Sequence, residues 1–364
     1  MSLISTEDYQ RLAHDRLSAD VWDFIEGGSG AELTLAANLE AFARVRLRPR
    51  VMVDVAGCTT ATTLLGAPLR LPLGVAPLAY HQLAHSDGEV GTAHGAGRTG
   101  ALFVVSMFAS RTLEDIAAAA TGPLWLQLYW LRRRDVMAQL ARRAAAAGYR
   151  ALVLTVDAPR IGRRLRDLRN GFAVDAEVQA VNLEPALMAL THRRRTGASA
   201  IALHAAQTFD PSLTWADLEW LRATCDLPIV VKGILTAEDA TRAIAHGVDA
   251  IIVSNHGGRQ LDRAVASLHA LAEVVDAVGD ACPVLFDGGV RGGTDVFVAL
   301  ALGAKAVFLG RPVLWALAVE GGAGVAQLLD LMHEELRHTM ALTGRPELSD
   351  IDRSVLAPAL SRAS

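Results

Sequence analysis

Three groups of residues in this chain have the types and spacing to do chemistry. The run SNHGGRQ (254–260) sets His256 three residues before Arg259 with two glycines between them. An imidazole titrates near neutral pH and can take up or return a proton. A guanidinium three residues on can hold a carboxylate through paired N–H bonds, and Gly257 and Gly258 let the chain turn so that both side chains point inward. Asp157, in TVDAP (155–159), is suited to orient and stabilise an imidazolium. Arg164, seven residues further on, offers a second carboxylate clamp, whereas Arg160, Arg163 and Arg166 read as surface or ion-pair residues. The runs DGGVRGG (287–293) and LGRP (309–312) join glycines, which let backbone N–H groups approach an anion, to Arg291 and Arg311, which can fork onto phosphate oxygens. Tight turns with surface arginines are the plainer reading of the same residues. Lys232 ends VVKG (230–233) after three apolar residues and needs a partner if buried. A Schiff base and a fixed positive charge beside an electron-rich ring both fit. Nothing near Lys232 argues for amine activation, which favours the fixed charge.

These groups need elements to position them, and the chain has a rhythm that supplies them. Eight short apolar runs, each ending in a small or polar residue, recur at 71–77, 101–106, 123–129, 151–157, 228–233, 250–258, 283–289 and 306–310. Continuous apolar runs of this length suit strands buried on both faces. The stretches between them include LEDIAAAA, DVMAQLARRAAAAG, AEDATRAIAHG and TDVFVALALGA, which read as helices. Alternation of this kind gives class α/β, and eight repeats point to a closed (β/α)8 TIM barrel. Sites in such barrels form at the C-terminal ends of the strands. The polar residues expected there are Ser106, Gln127, Tyr129, Thr155, Asp157, Lys232, Ser254, His256, Arg259, Asp287, Arg291 and Arg311. Any one of them could be a satisfied structural residue; their convergence on one rim argues for a site.

Residues 5–45 read as helical, with Ser5 or Thr6 as cap, Glu7 and Asp8 in the first turn, and a Gly-rich break at EGGSGAE. The expected organisation is a single domain over 1–364: an N-terminal helical extension (1–70, its last part strands and turns), a barrel (71–345), and a lid (170–213) after the fourth strand. The lid is inferred because about seventy residues separate TVDAP from PIVVKG, and loops longer than roughly 15 residues are uncommon unless functional. HRRR (192–195) lies within it and reads as a solvated loop sooner than as a nucleic-acid patch.

Composition excludes several classes. The 364 residues are 51% hydrophobic and 20% charged with a formal charge of −4, so nothing suggests whole-protein attraction to nucleic acid or anionic lipid. Cys58, Cys225 and Cys282 are scattered and odd in number, which gives no disulfide framework and no metal motif and fits a reducing cytoplasm. The first ten residues lack a basic and apolar signal pattern, and no uninterrupted apolar run reaches the roughly 20 residues of a membrane span.

SNHGGRQ resembles the active-site signature of the FMN-dependent 2-hydroxy-acid oxidase and dehydrogenase family. The resemblance continues in order through WDFI (22–25), VAPLA (75–79), LQLY (126–129), TVDAP, GRR (162–164), VKG (231–233), DGGVR and GRP (310–312), and so spans nearly the whole chain. It implies FMN across the barrel mouth, in contact with Pro77, Leu78, Ala79, Ser106, Gln127 and Thr155. Lys232 would stabilise negative charge on the flavin, with Ser254 nearby, and Asp287, Gly288, Gly289, Arg291, Gly310 and Arg311 would hold ribityl and phosphate. It implies His256 as the base with Asp157 behind it, Arg164 and Arg259 on the substrate carboxylate, and Tyr129 on the substrate oxygen. Phe24 stands where the family often has Tyr, which removes one carboxylate hydrogen bond and makes the pocket more apolar. With Tyr80, Met107 and Phe108 near, an aromatic (S)-2-hydroxy acid fits, and WDFIEGG, APLAY and LYWL are most similar to the branch acting on 4-hydroxymandelate. Ala79 resembles the oxidases, with O2 as acceptor, and the family implies a homotetramer or larger homo-oligomer. An aliphatic substrate such as lactate or glycolate is the nearest rival. An FMN barrel isomerase would leave His256 and Arg259 unexplained, and a non-catalytic phosphate-binding barrel would need no base.

Overall fold

In the computed structural model, which describes residues 3–358, the chain opens on a reciprocal cap. The Ser5 hydroxyl accepts from the Asp8 N–H at 3.2 Å, and the Asp8 carboxylate accepts back from the Ser5 N–H at 3.2 Å. This fixes α1 (Thr6–Arg16). Helices α2 (Ala19–Glu26) and α3 (Leu33–Ala43) follow, split at the Gly-rich run. The Asp262 carboxylate accepts from the N–H groups of Ala31 and Thr34 at 2.8 and 3.0 Å and so caps α3 from the far side of the chain.

A two-stranded antiparallel hairpin, β1 (Thr62–Leu64) and β2 (Ala67–Leu69), precedes the barrel. The barrel strands are β3 (Leu73–Val75), β4 (Leu102–Ser106), β5 (Leu124–Tyr129), β6 (Leu152–Thr155), β7 (Ile229–Ile234), β8 (Ala250–Val253), β9 (Val284–Asp287) and β10 (Val307–Leu309). They pair in parallel in sequence order, and β10 closes onto β3. The eight apolar runs are therefore the eight staves of a (β/α)8 barrel. Outside them lie α4 (Gly88–Thr99), α5 (Leu113–Ala119), α6 (Arg134–Ala146), α7 (Leu165–Asn170), α8 (Pro185–Met188), α9 (Ala200–Thr208), α10 (Asp217–Thr224), α11 (Ala237–Ala245), α12 (Ser267–Val278), α13 (Gly293–Ala301) and α14 (Arg311–Thr343).

Two separate cores follow from strand geometry. Successive side chains on a strand point to opposite faces. One parity gives the barrel interior, with Leu102, Val104, Trp125, Val153, Ile252 and Phe308 packed together. The other, with Phe103, Val105, Leu126, Leu154, Ile251 and Phe286, packs under the helices. Leu64 and Leu69 of the hairpin join the interior set and stopper the N-terminal end of the barrel.

The last helix departs from the expectation that no segment is long and apolar enough to cross a membrane. By length and composition α14 is, but 83% of its most apolar window is buried inside the protein. Its apolar residues pack on α4, α1 and α13, and it breaks at Glu320–Gly321, where Gly321 takes φ 59°. The seam with α4 is backbone on backbone: a Cβ on Gly95 would lie 2.5 Å from the Gly322 carbonyl and 2.8 Å from the Val325 Cβ. Gly95→Ala should therefore cost about 1–3 kcal/mol through overpacking, lowering the urea midpoint of the holoprotein. Gly57→Ala, where a Cβ meets nothing within 4 Å, should not. Equal midpoints for the two variants would show that the seam yields.

Candidate active site

The inward parity does not stop where the apolar core does. Followed one step further up each strand, it passes from Val104 to Ser106, from Trp125 to Gln127 and Tyr129, and from Val153 to Thr155 and Asp157. On β7 to β10 it passes from Val230 to Lys232, from Ile252 to Ser254 and His256, from Leu285 to Asp287, and from Phe308 to Gly310, whereas on β3 it passes from Ala76 to the apolar Leu78. The same alternation that fills the barrel below thus sets a ring of polar groups above it.

His256 sits in a left-handed turn at φ 59°, followed by Gly257 and Gly258 at φ 62° and 74°. The glycines are required sterically: a Cβ on Gly257 would lie 2.8 Å from the Arg311 Nη1, and one on Gly258 would lie 2.6 Å from the Leu35 nitrogen. The turn brings the His256 Nδ1 to 3.0 and 3.3 Å from the two Asp157 carboxylate oxygens and its Nε2 to 3.4 Å from the Tyr129 hydroxyl. Burial lowers the imidazole below its usual range more than Asp157 raises it, and Lys232 and Arg164 lower it further. Burial would raise the Asp157 carboxyl, but His256 and Lys232 together hold it below its usual range. The resting pair is a neutral imidazole beside an ionised carboxylate, with Nδ1–H donated to Asp157 and Nε2 free to accept a proton. Burial and the Asp157 charge push the Tyr129 phenol up, so it stays protonated.

A second polar layer lies behind the first. The Lys232 Nζ donates to the Ser254 hydroxyl at 2.6 Å and pairs with the Asp287 carboxylate at 2.9 Å. That fixes an ammonium in the barrel mouth, and it supports the fixed charge over the Schiff base. Gln127 accepts from Ser106 at 3.2 Å and donates to Thr155 at 3.0 Å. Gln127, Ser254 and Asp157 do not line the main cavity; they hold the residues that do.

That cavity contains about 1270 Å³ of space free of protein atoms, counted out to its mouth. Arg164, Arg259, Arg291 and Arg311 all line it, and among the described residues none has a carboxylate within 4.0 Å. Burial drives all four guanidiniums down, Arg311 to about 10. Buried cations without counter-charges are costly, and an anionic ligand relieves that cost. Arg259 donates through Nη1 alone to the carbonyls of Phe24, Ile25 and Gly27 at 2.7, 3.2 and 2.8 Å, which leaves its other nitrogens for a ligand.

Arg311 lines the cavity and is also held by backbone, with Nη1 and Nη2 each bonded once and so each keeping a second N–H. Its Nε donates to Ile25 and Glu26 carbonyls, its Nη2 to Gly27 and its Nη1 to Gly257. The carbonyls that end α2 draw it in, as the negative end of a helix does. Arg291 is engaged less: it donates to the carbonyl of neighbouring Val290 at 2.9 Å and lies over the Trp315 ring. The N-terminus of α13 is already filled by Asp295 and Glu335 carboxylates, whereas that of α14, at Gly310, has no side-chain cap. A Cβ on Gly310 would meet only the Leu78 Cδ2 at 3.9 Å, in space open to the cavity. An uncapped helix N-terminus, a glycine open to the cavity and the half-buried Arg291 together fit the phosphate of a flavin mononucleotide.

The 170–213 excursion lies over this cavity. Its α9 presents Ile201, His204 and Ala205 on one face, and Phe209 follows. Phe108 is the hub of an aromatic wall, with ring centroids 6.3 Å from Tyr80, 5.8 Å from Tyr129, 6.1 Å from Phe209 and 5.8 Å from His204. Phe24 stacks on Phe172 at 4.4 Å. Met107 is not part of the wall: it is fully buried, with its sulfur accepting from the Tyr129 N–H at 3.2 Å. HRRR is tied down in part. His192 bonds Val174 and Gln179, and Arg194 pairs with Asp20. The sequence reading missed Ile161, Ile201, His204, Phe209 and Leu314. Only the helical spacing of 201, 204 and 205 pointed to any of them.

A family model described as FMN-dependent dehydrogenase matches residues 13–358. An L-lactate oxidase from Nostoc sp. is 46% identical over 98% of this chain and 98% of its own length. A 4-hydroxymandelate oxidase from Amycolatopsis orientalis is 48% identical over 94% of this chain and 95% of its own. A solved mandelate oxidase with (S)-4-hydroxymandelic acid superimposes with a TM-score of 0.94 at 46% identity, covering 98% of each chain.

A base that must be neutral, and whose pKa is lowered, works to lower pH than an ordinary histidine. With a 2-hydroxy acid, kcat/KM should hold down to about pH 6.5 and fall only below it. Asp157→Asn should lower kcat about 10²–10⁴-fold and move that acid limb lower still, since the carboxylate is what raises the imidazole. An acid limb above pH 7, or a variant with unchanged kcat, would contradict the assignment.

Proposed function

The chain belongs to the FMN-dependent dehydrogenase family, and we propose that this 2-hydroxy-acid oxidase acts on an aromatic (S)-2-hydroxy acid, 4-hydroxymandelate. The products are the 2-oxo acid 4-hydroxyphenylglyoxylate and, with O2 as acceptor, hydrogen peroxide. Two hydrogens leave the CHOH group and two arrive on O2, so the reaction balances. The observation that carries the aromatic substrate is the wall centred on Phe108, whose ring neighbours Tyr80, Tyr129, His204 and Phe209 all line the same cavity. Offset and edge-on ring contacts favour an aryl group there over a methyl or a hydrogen. Phe24 adds apolar surface where a hydroxyl would favour a smaller, more polar acid.

When bound, FMN supplies the two-electron acceptor. Arg291, the N-terminus of α14 and the glycines at 288, 289 and 310 would hold its phosphate and ribityl chain, and Lys232 would set a positive charge beside its ring. The free nitrogens of Arg164 and Arg259 grip the substrate carboxylate from two sides. Tyr129 donates its phenolic proton to the substrate oxygen. The His256 Nε2 takes the proton released from the CHOH group, and Asp157 stabilises the imidazolium that results.

An anaerobic titration of the holoprotein tests this reading. (S)-4-hydroxymandelate and (S)-mandelate should bleach the flavin band with kcat/KM at least tenfold above L-lactate and glycolate. Admitting air should restore the colour with one equivalent of peroxide. Bleaching by lactate or glycolate alone would keep the family chemistry and discard the aromatic substrate. Lactate is the second reading with support, since the Nostoc relative is nearly as similar as the Amycolatopsis one.

A further inference from the structure

The turn that carries His256 is held from behind by a closed amide network. The Asn38 Nδ2 donates to the Asn255 Oδ1 at 2.8 Å, and the Asn255 Nδ2 donates back to the Asn38 Oδ1 at 2.7 Å. The second Asn255 Nδ2 proton goes to the Val265 carbonyl at 3.0 Å, and its Oδ1 also accepts from the Gly258 N–H at 3.2 Å. Ser267 completes the set. Its Oγ accepts from the Asn255 N–H at 2.9 Å, and its own N–H donates to the Asn38 Oδ1 at 3.1 Å. All three residues are buried. Every donor and acceptor of the Asn255 amide is used, which leaves that side chain one orientation. The bond to Gly258 closes the left-handed stretch at 256–258. A residue with a Cβ, such as His256, keeps a left-handed φ only where its surroundings impose it.

The same network meets the loop after β9. A Cβ on Gly289 would lie 2.5 Å from the Asn38 carbonyl oxygen, and one on Gly288 would lie 2.7 Å from the Ser267 Oγ. Bare backbone at 288 and 289 thus rests directly on Asn38 and Ser267. That loop and His256 both line the cavity, whereas Asn38 and Ser267 do not. We propose that Asn38, with Ser267, is a positioning residue that sets the distance between the His256 base and the loop that receives the flavin. This rests on His256 as the base and does not depend on which 2-hydroxy acid is oxidised. The reacting groups must be in register, and a misplacement of about 1 Å can cost about 10²-fold in rate. Arg259 is held separately by the carbonyls of Phe24, Ile25 and Gly27, so the carboxylate clamp outlasts the loss of the amide pair.

The test separates turnover from binding in Asn38→Ala. With (S)-4-hydroxymandelate or L-lactate, whichever the wild-type holoenzyme turns over faster, kcat should fall about 10²-fold. The dissociation constants of FMN, read by flavin fluorescence, and of oxalate, an acid with no C–H to lose, read by calorimetry, should stay within about threefold of wild type. Thr34→Val is the control. It lies on the same helix and loses its bonds to the Leu261 and Ala264 carbonyls at 3.4 and 3.1 Å, but keeps the amide pair. Its kcat should stay near wild type. An unchanged kcat in Asn38→Ala overturns the proposal. So does a Thr34→Val variant that loses as much kcat, or an Asn38→Ala variant that loses FMN and oxalate along with kcat, since either shows a general loosening of α3. If Asn38→Ala does not fold, Ser267→Ala decides: a kcat lower by about tenfold or more with both dissociation constants kept supports the proposal, and an unchanged kcat overturns it. His256→Asn, run alongside, keeps the two failures apart, because wild-type kcat in that variant overturns the base itself.

Discussion

The closed parallel ladder allows only two directions for a side chain, into the barrel or out toward the helices, and much of this molecule follows from that. Because β10 pairs with β3, no barrel strand has a free edge, and a one-residue slip would turn a whole strand inside out. The register that buries Trp125 and Val153 in the interior is therefore the register that turns Tyr129 and Thr155 toward the mouth. Stability and chemistry share one constraint. A chain that failed to build the site would also have failed to fill the barrel. The exception is at β7, where the ladder slips between Lys232 and Ile234 so that Gly233 absorbs an extra residue just above the ammonium.

The N-terminal helices serve the site through backbone as well as through the Phe24 side chain. The carbonyls from Phe24 to Gly27 end α2, and Arg259 and Arg311 supply donors to them. Glu26 also accepts from the Trp315 indole at 2.7 Å, and Arg166 ties Glu32 and Asp23 to α7. The helix end is held by cations that the ligands also need, so the extension closes one side of the cavity and orients its arginines at once.

Much of this was legible in the sequence because period and position agree there. Eight apolar runs named the staves, and polar residues at their ends named His256, Asp157, Lys232 and Asp287. Charge type named the four arginines. What could not be read depends on how segments meet. Nothing local says that Arg311 turns to α2, or that Gln127 and Ser254 stand behind the cavity while Ser106 lines it. Met107 is next to Phe108 in sequence, but parity along the chain sends it into the core. The lid was visible only as excess length. Its short helices carry weak periodicity, and their facing residues, His204 among them, are defined by the wall they complete. The break in α14 likewise reflects a close approach to the turn at His85–Asp87, which no pattern within the helix announces.

The division of labour between strands and lid bears on descent. Groups that move protons and grip anions lie on or next to barrel strands, where a change disturbs the core. The residues of the aromatic wall and its rim, Tyr80, Phe108, Ile201, His204 and Phe209, come from connecting loops and the lid. A substitution in the second set can reshape the cavity wall without disturbing the strand register. Relatives of different appetite then stand at almost the same overall distance from this chain, as the lactate and 4-hydroxymandelate oxidases do at 46% and 48% identity. Identity averaged over the full length follows the scaffold, and here it does not separate two relatives that differ in substrate.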